Sequence, residues 1–142
     1  MIKTKNFSQL ELEYSNKAKT HKIDNSIPDS LIENAKELLN GLQIIRDALG
    51  KPIKITSGYR CLELNKLVKG VSNSSHLKCW AADIAVDGMT AKELFYWLSG
   101  YLKGSGMKFG QLIMEQSKTG SWVHFSIRDD SGQRCQIKEL FV

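Results

Sequence analysis

The sequence predicts an α+β domain, and three observations point to it. Leu31, Ala35, Leu38, Leu42, Ile45 and Leu49 recur at alternating spacings of four and three, one face of a long helix. Residues 81–86 and 122–127 alternate apolar and polar side chains, as half-buried strands do. Residues 111–115 precede the second strand across a Lys118-Thr119-Gly120 turn, as in a hairpin.

Taken in chain order, Ser8 with Glu11 forms a capping box that opens a short helix. A turn-rich stretch follows through Asn25, Ser26 and Pro28. The long helix starts near Pro28 and stops at Gly50 and Pro52. A short strand is expected over 53–56, closed by Ser57-Gly58, then a brief helix over 62–68. Residues 70–75 are small and polar, hence loop. In the strand over 81–86, Ala82, Ile84 and Val86 face one way and Asp83, Ala85 and Asp87 the other. Thr90 with Glu93 is a second capping box, opening a helix through Leu98 that Gly100, Gly104 and Gly106 are expected to end. In the last strand Val123, Phe125 and Ile127 face the core, while Trp122, His124 and Ser126 face away.

At 142 residues the chain fits one domain, 1–142, large enough to bury a core without staples. With 42% hydrophobic and 25% charged residues it reads as globular rather than disordered. No apolar run approaches the roughly 20 residues that span a bilayer, so no membrane partner is expected. No apolar segment follows the basic residues 1–5, so no secretory signal is read and a cytoplasmic location until release is expected. The net charge of +5 allows a solvated basic surface or contact with polyanions such as cell-wall polymers. No nucleic-acid motif accompanies it, and no nucleic-acid partner is expected. Cys61, Cys79 and Cys135 are too few for a disulfide scaffold and match no CxxC pattern, so reduced thiols are expected.

Asp83 and His124 project from the non-core face of their strands, and His76 lies in the loop before the first of them. Two imidazoles and a carboxylate suit zinc, and three protein ligands leave a fourth position open, as catalysis requires. Spacing alone does not separate such a set from ordinary polar residues.

The motifs are more specific. Ser74-x-His76-x-x-Cys79-x-Ala81-x-Asp83 resembles the S-x-H-x-x-G-x-A-x-D signature of the zinc D-alanyl-D-alanine metallopeptidases. Ser57-Gly58-Tyr59-Arg60 resembles that family's S-G-Y-R segment, and Gln111-Leu112-Ile113 with Trp122-Val123-His124 resembles its strand pair ending in W-x-H. The Phe7-Ser8 block and the long helix are similar to the small phage and prophage branch. The resemblance implies the Hedgehog/DD-peptidase fold, a small antiparallel sheet flanked by helices. It places the zinc ligands on His76, Asp83 and His124, and the arginine that contacts substrate and oxyanion on Arg60. It places a substrate-contacting serine on Ser74.

Two departures stand out. Cys79 occupies the signature glycine; a cysteine there is expected only with a negative φ, or else as a fourth ligand that would close the open position. Several relatives carry a carboxylate three residues before the last ligand, where this chain has Ser121. Glu115, at the end of the preceding strand as in the small branch, is the candidate general base; otherwise it is a solvated hairpin residue. Trp122 would wall the site or pack in the core. The resemblance thus implies a monomeric zinc peptidase acting on the D-alanyl peptide of peptidoglycan, as carboxypeptidase or endopeptidase, with phage lysis as one setting. The alternative is a zinc-containing, non-catalytic cell-wall-binding module on the same fold.

Overall fold

The structure, a computed structural model, describes residues 1–141. Helix α1 (Gln9–Glu13) opens on the expected capping box, in which the Glu11 carboxylate accepts the Ser8 backbone N–H at 3.0 Å. A short α2 (Asn16–Thr20) follows, its first turn capped by Ser15, whose Oγ accepts Ala18 N–H. The sequence pattern did not announce α2. It is a single capped turn with one buried residue, Ala18, too short to show a period.

The central helix α3 (Ile32–Leu49) runs where the apolar stripe predicts and ends at Gly50 in the left-handed region, φ 72°. Strand β1 (Lys54–Ser57), α4 (Leu62–Leu67), a 3-10 turn (Ser75–Lys78) and β2 (Ala81–Ala85) carry the chain across the site. Helix α5 (Ala91–Ser105) is two turns longer than expected. It continues through Gly100 and Gly104 because Leu102 extends the buried row of Leu94 and Leu98. That burial outweighs the helix penalty of glycine, about 1 kcal/mol per residue. Only Gly106, at φ 69°, stops the helix.

Strands β3 (Gln111–Ser117) and β4 (Gly120–Ser126) form the expected hairpin, and β5 (Gln136–Phe141) adds an edge. The sheet order is β1-β2-β4-β3-β5. Four strands pair antiparallel, as expected; β5 lies parallel to β3 and makes the sheet mixed. Ala82, Ile84, Leu112, Met114, Val123 and Phe125 point to one face, where α3 and α5 close the core. The other face is left for Asp83, Ile113, Glu115, Trp122 and His124. No helix among the described residues is long and apolar enough to cross a membrane.

Candidate metal centre

Register brings the first two candidate ligands together. Asp83 stands directly opposite His124 in the β2–β4 ladder, and Ile113 stands opposite His124 on the other side. Directly opposed residues share a face with their Cβ atoms about 4.5–5.5 Å apart. A slip of one residue would turn either side chain into the core. His124 Nδ1 lies 3.2 Å from Asp83 Oδ1.

The third candidate comes from the 3-10 turn. Ser74 caps it, its Oγ accepting the His76 backbone N–H. The His76 ring is almost fully buried, with Nδ1 2.7 Å from the Gly58 carbonyl. That contact makes Nδ1 the protonated nitrogen and leaves Nε2 free as an electron-pair donor. Nε2 lies 3.4 Å from the same Asp83 oxygen. Gly58 is needed here: a Cβ on it would stand 2.6 Å from the Leu12 carbonyl oxygen. Its absence lets α1 close over the loop that holds His76, with Tyr59 N–H bonded to Leu12 O at 2.8 Å.

The set fits a metal ion on its own geometry. One donor atom from each of His76, Asp83 and His124 lies within 4.8 Å of the others. Ligands of a tetrahedral ion with bonds of about 2.0–2.1 Å stand roughly 3.3–3.4 Å apart. The separations of 3.4 and 3.2 Å on either side of Asp83 lie close to that. Burial alone would raise the Asp83 pKa, but the two imidazoles beside it, His124 at 3.2 Å and His76 at 3.4 Å, outweigh that and hold the carboxyl well below its usual range. It is therefore an anion ready to ligate.

Arg60 reaches the same cleft. Its Nη2 donates to Ser74 Oγ at 3.2 Å, and its Nε is buried without a partner. Burial lowers the guanidinium pKa, and the negative charges of Asp83 and Glu115 oppose that shift. Arg60, Ser74, Glu115 and Trp122 line one cavity of about 540 Å³ with the three candidate ligands.

A family model described as peptidase M15 matches residues 5–125, which takes in both ends of this cleft's machinery. The chain belongs to the peptidase M15 family. Its members are metallopeptidases, and the His-Asp-His cluster lies inside the matched region. Among curated proteins no match is found.

Within this M15 peptidase, Cys79 departs from expectation. It adopts φ 57°, a left-handed conformation, rather than the negative φ expected of a cysteine. The glycine-type backbone is kept and the side chain is forced to follow it. Its thiol is fully buried, and burial, then Glu13, pushes its pKa up to about 12. The donor atoms that cluster are those of His76, Asp83 and His124, without this thiol, so Cys79 is no fourth ligand. Cys61, Cys79 and Cys135 are all free, and the first two lie beside Tyr59, whose pKa is raised by burial and then by them.

Glu115 faces Trp122 across the hairpin and accepts the indole N–H with Oε2. It is neither free in solvent nor part of the metal cluster. Trp122 thus walls the cleft instead of packing in the core. Sequence reasoning missed the opposite wall. Asp129 and Arg134 pair at 2.8 Å and line the cavity with Lys69. They sit in irregular segments where no period signals a shared surface.

Proposed function

We propose that the chain is a zinc peptidase that hydrolyses D-alanyl peptide bonds in bacterial peptidoglycan, acting as a monomer without nucleic-acid or membrane partners. One observation carries the reading: a complete His-Asp-His cluster shares its cleft with a cation, Arg60, and a carboxylate, Glu115, in an M15 chain. The D-alanyl preference rests on the S-x-H, S-G-Y-R and W-x-H resemblance, and the small-branch likeness supports a role in phage lysis.

His76 Nε2, Asp83 Oδ1 and His124 Nδ1 would hold the ion. When bound, zinc supplies Lewis acidity and brings water toward ionisation near neutral pH. Glu115 is held by Trp122 through one oxygen, which leaves Oε1 to take a proton from the attacking water and return it to the leaving amine. Arg60, partly desolvated, receives the carbonyl oxygen as it becomes negative, where a charge-assisted hydrogen bond is strongest. Ser74 already accepts from Arg60 and from the His76 backbone, so it holds the arginine as well as any substrate amide.

The test is incubation of the zinc-loaded protein with purified peptidoglycan, with mass spectrometry of the products. Free D-alanine identifies a carboxypeptidase; conversion of cross-linked dimers to monomers identifies an endopeptidase. Glu115→Gln should keep zinc and lose about 10²–10⁴-fold in turnover, the usual worth of a general base. Binding to peptidoglycan with no fragments released would establish the non-catalytic module instead.

A further inference from the structure

Asn25 lies outside the cleft, yet its amide meets both peptide groups that flank Arg60. Nδ2 donates to the Tyr59 carbonyl at 2.8 Å and to the Glu13 carbonyl at 2.9 Å. Oδ1 accepts the Cys61 N–H at 2.8 Å. The side chain is buried, 7% exposed, and the three bonds admit only this orientation of the amide.

The Tyr59 carbonyl belongs to the peptide plane before Arg60, and the Cys61 N–H to the plane after it. Peptide groups are rigid and planar, so holding both planes sets φ and ψ of Arg60 and with them the direction of its side chain. Arg60 N–H donates to the His76 carbonyl at 3.1 Å, which ties that backbone to the metal cluster. The third bond anchors the assembly to the end of α1, where the Glu13 carboxylate also accepts the Ile27 backbone N–H and the Gln9 side-chain amide.

We propose that Asn25 is a positioning residue for Arg60, acting on the reaction only through the placement of that guanidinium. The inference rests on the reading of Arg60 given above. No other side chain of this size offers two donors and an acceptor in one plane. Aspartate would set an oxygen against two carbonyls, and alanine would leave three groups without partners.

The experiment is a double-mutant cycle on the zinc-loaded full chain, with soluble peptidoglycan fragments as substrate. Metal content and thermal midpoint are recorded for each variant. Arg60→Ala is expected to lose about 10²–10³-fold in kcat/KM. Asn25→Ala and Asn25→Asp are expected to lose about 10–10²-fold, mainly in kcat, with zinc retained, since small misplacements of a catalytic group cost that much. In the Arg60→Ala background, Asn25→Ala should change activity less than about twofold. Independently of activity, the Arg60 Nε–H resonance should shift and exchange faster in both Asn25 variants, while the His76 and His124 ring resonances stay in place. Full multiplication of the two losses, or an unmoved Nε–H resonance, would overturn the proposal. So would failure of both Asn25 variants to fold, which would assign the residue to stability alone. Wild-type turnover in Arg60→Ala, with the Nε–H resonance displaced in the Asn25 variants, would instead overturn the role of Arg60 and leave Asn25 as its anchor.

Discussion

Cys79 shows how far a single residue can be bent by its surroundings. A left-handed backbone costs an L-residue roughly 1–2 kcal/mol, and Cys79 adopts it at φ 57° with its side chain fully buried. Packing of the sulfur offsets the strain. Cys79→Ala keeps the strain and removes the packing, so it should destabilise by about 1–2 kcal/mol. Cys79→Gly loses the buried Cβ as well but relieves the strain, and should be the more stable of the two where the relief exceeds the roughly 0.8 kcal/mol of one buried carbon. Urea denaturation of both variants tests the order; alanine above glycine would place the strain elsewhere. The signature glycine was a clue that this position needs a special dihedral. Whether a cysteine adopts that dihedral or moves the loop depends on the space around it.

Two elements carry predictions of their own. Gly100 and Gly104 lie inside α5, and a Cβ added at either meets nothing within 4 Å. Alanine at each should stabilise by about 0.5–1 kcal/mol, because glycine loses more backbone freedom on entering a helix. A raised thermal midpoint in the single and double variants is the expected result. Between α3 and the chain just after β4, Arg128 grips Glu37 through two bonds of 2.7 and 2.8 Å. The Arg128 hydrogen bonds lower the Glu37 pKa below its ordinary value of 4.5, against a smaller opposing effect of burial. A depressed folded pKa means stability that is present above pH 4.5 and lost as the pH falls through the folded value. Both side chains are more than a third exposed, so the pair is worth less than about 1 kcal/mol. Chemical denaturation of Glu37→Gln should show that small deficit at pH 7, a shrinking one as the pH falls progressively below 4.5, and a smaller one at high salt.

At the scale of the whole molecule, the sheet separates stability from chemistry. One face packs against α3 and α5; the other carries the metal cluster and the cleft. Loss of the ion should therefore leave the fold cooperative. His76→Ala and His124→Ala should bind no zinc, and Asp83→Asn should bind it weakly, by elemental analysis of the purified proteins. Chelation of the wild type should lower the thermal midpoint without unfolding it at 25 °C. Binding contributes about 2.7 kcal/mol when free metal is a hundred times its Kd. Full zinc occupancy in His124→Ala would remove the ligand assignment, and unfolding on chelation would make the ion structural.

By itself the sequence determined α3, the capping boxes of α1 and α5, strands β1 to β4, and which side chains of β2 and β4 face away from the core. These are local properties: a period of 3.6 or 2, or a cap three residues from its partner, is complete within one segment. The motifs also marked His76, Asp83 and His124. Tertiary structure alone decided the rest. Strand β5 shows no burial alternation, and its parallel place beside β3 depends on a pairing made far along the chain. Helix α5 passes two glycines because Leu102 finds the core. Glu115 becomes a cleft residue because the hairpin register sets it against Trp122. Asn25, read as a turn residue, meets Arg60's neighbours only when α1 folds over the Gly58 loop. Contacts between distant segments follow from which surfaces pack together, and no local period records that choice.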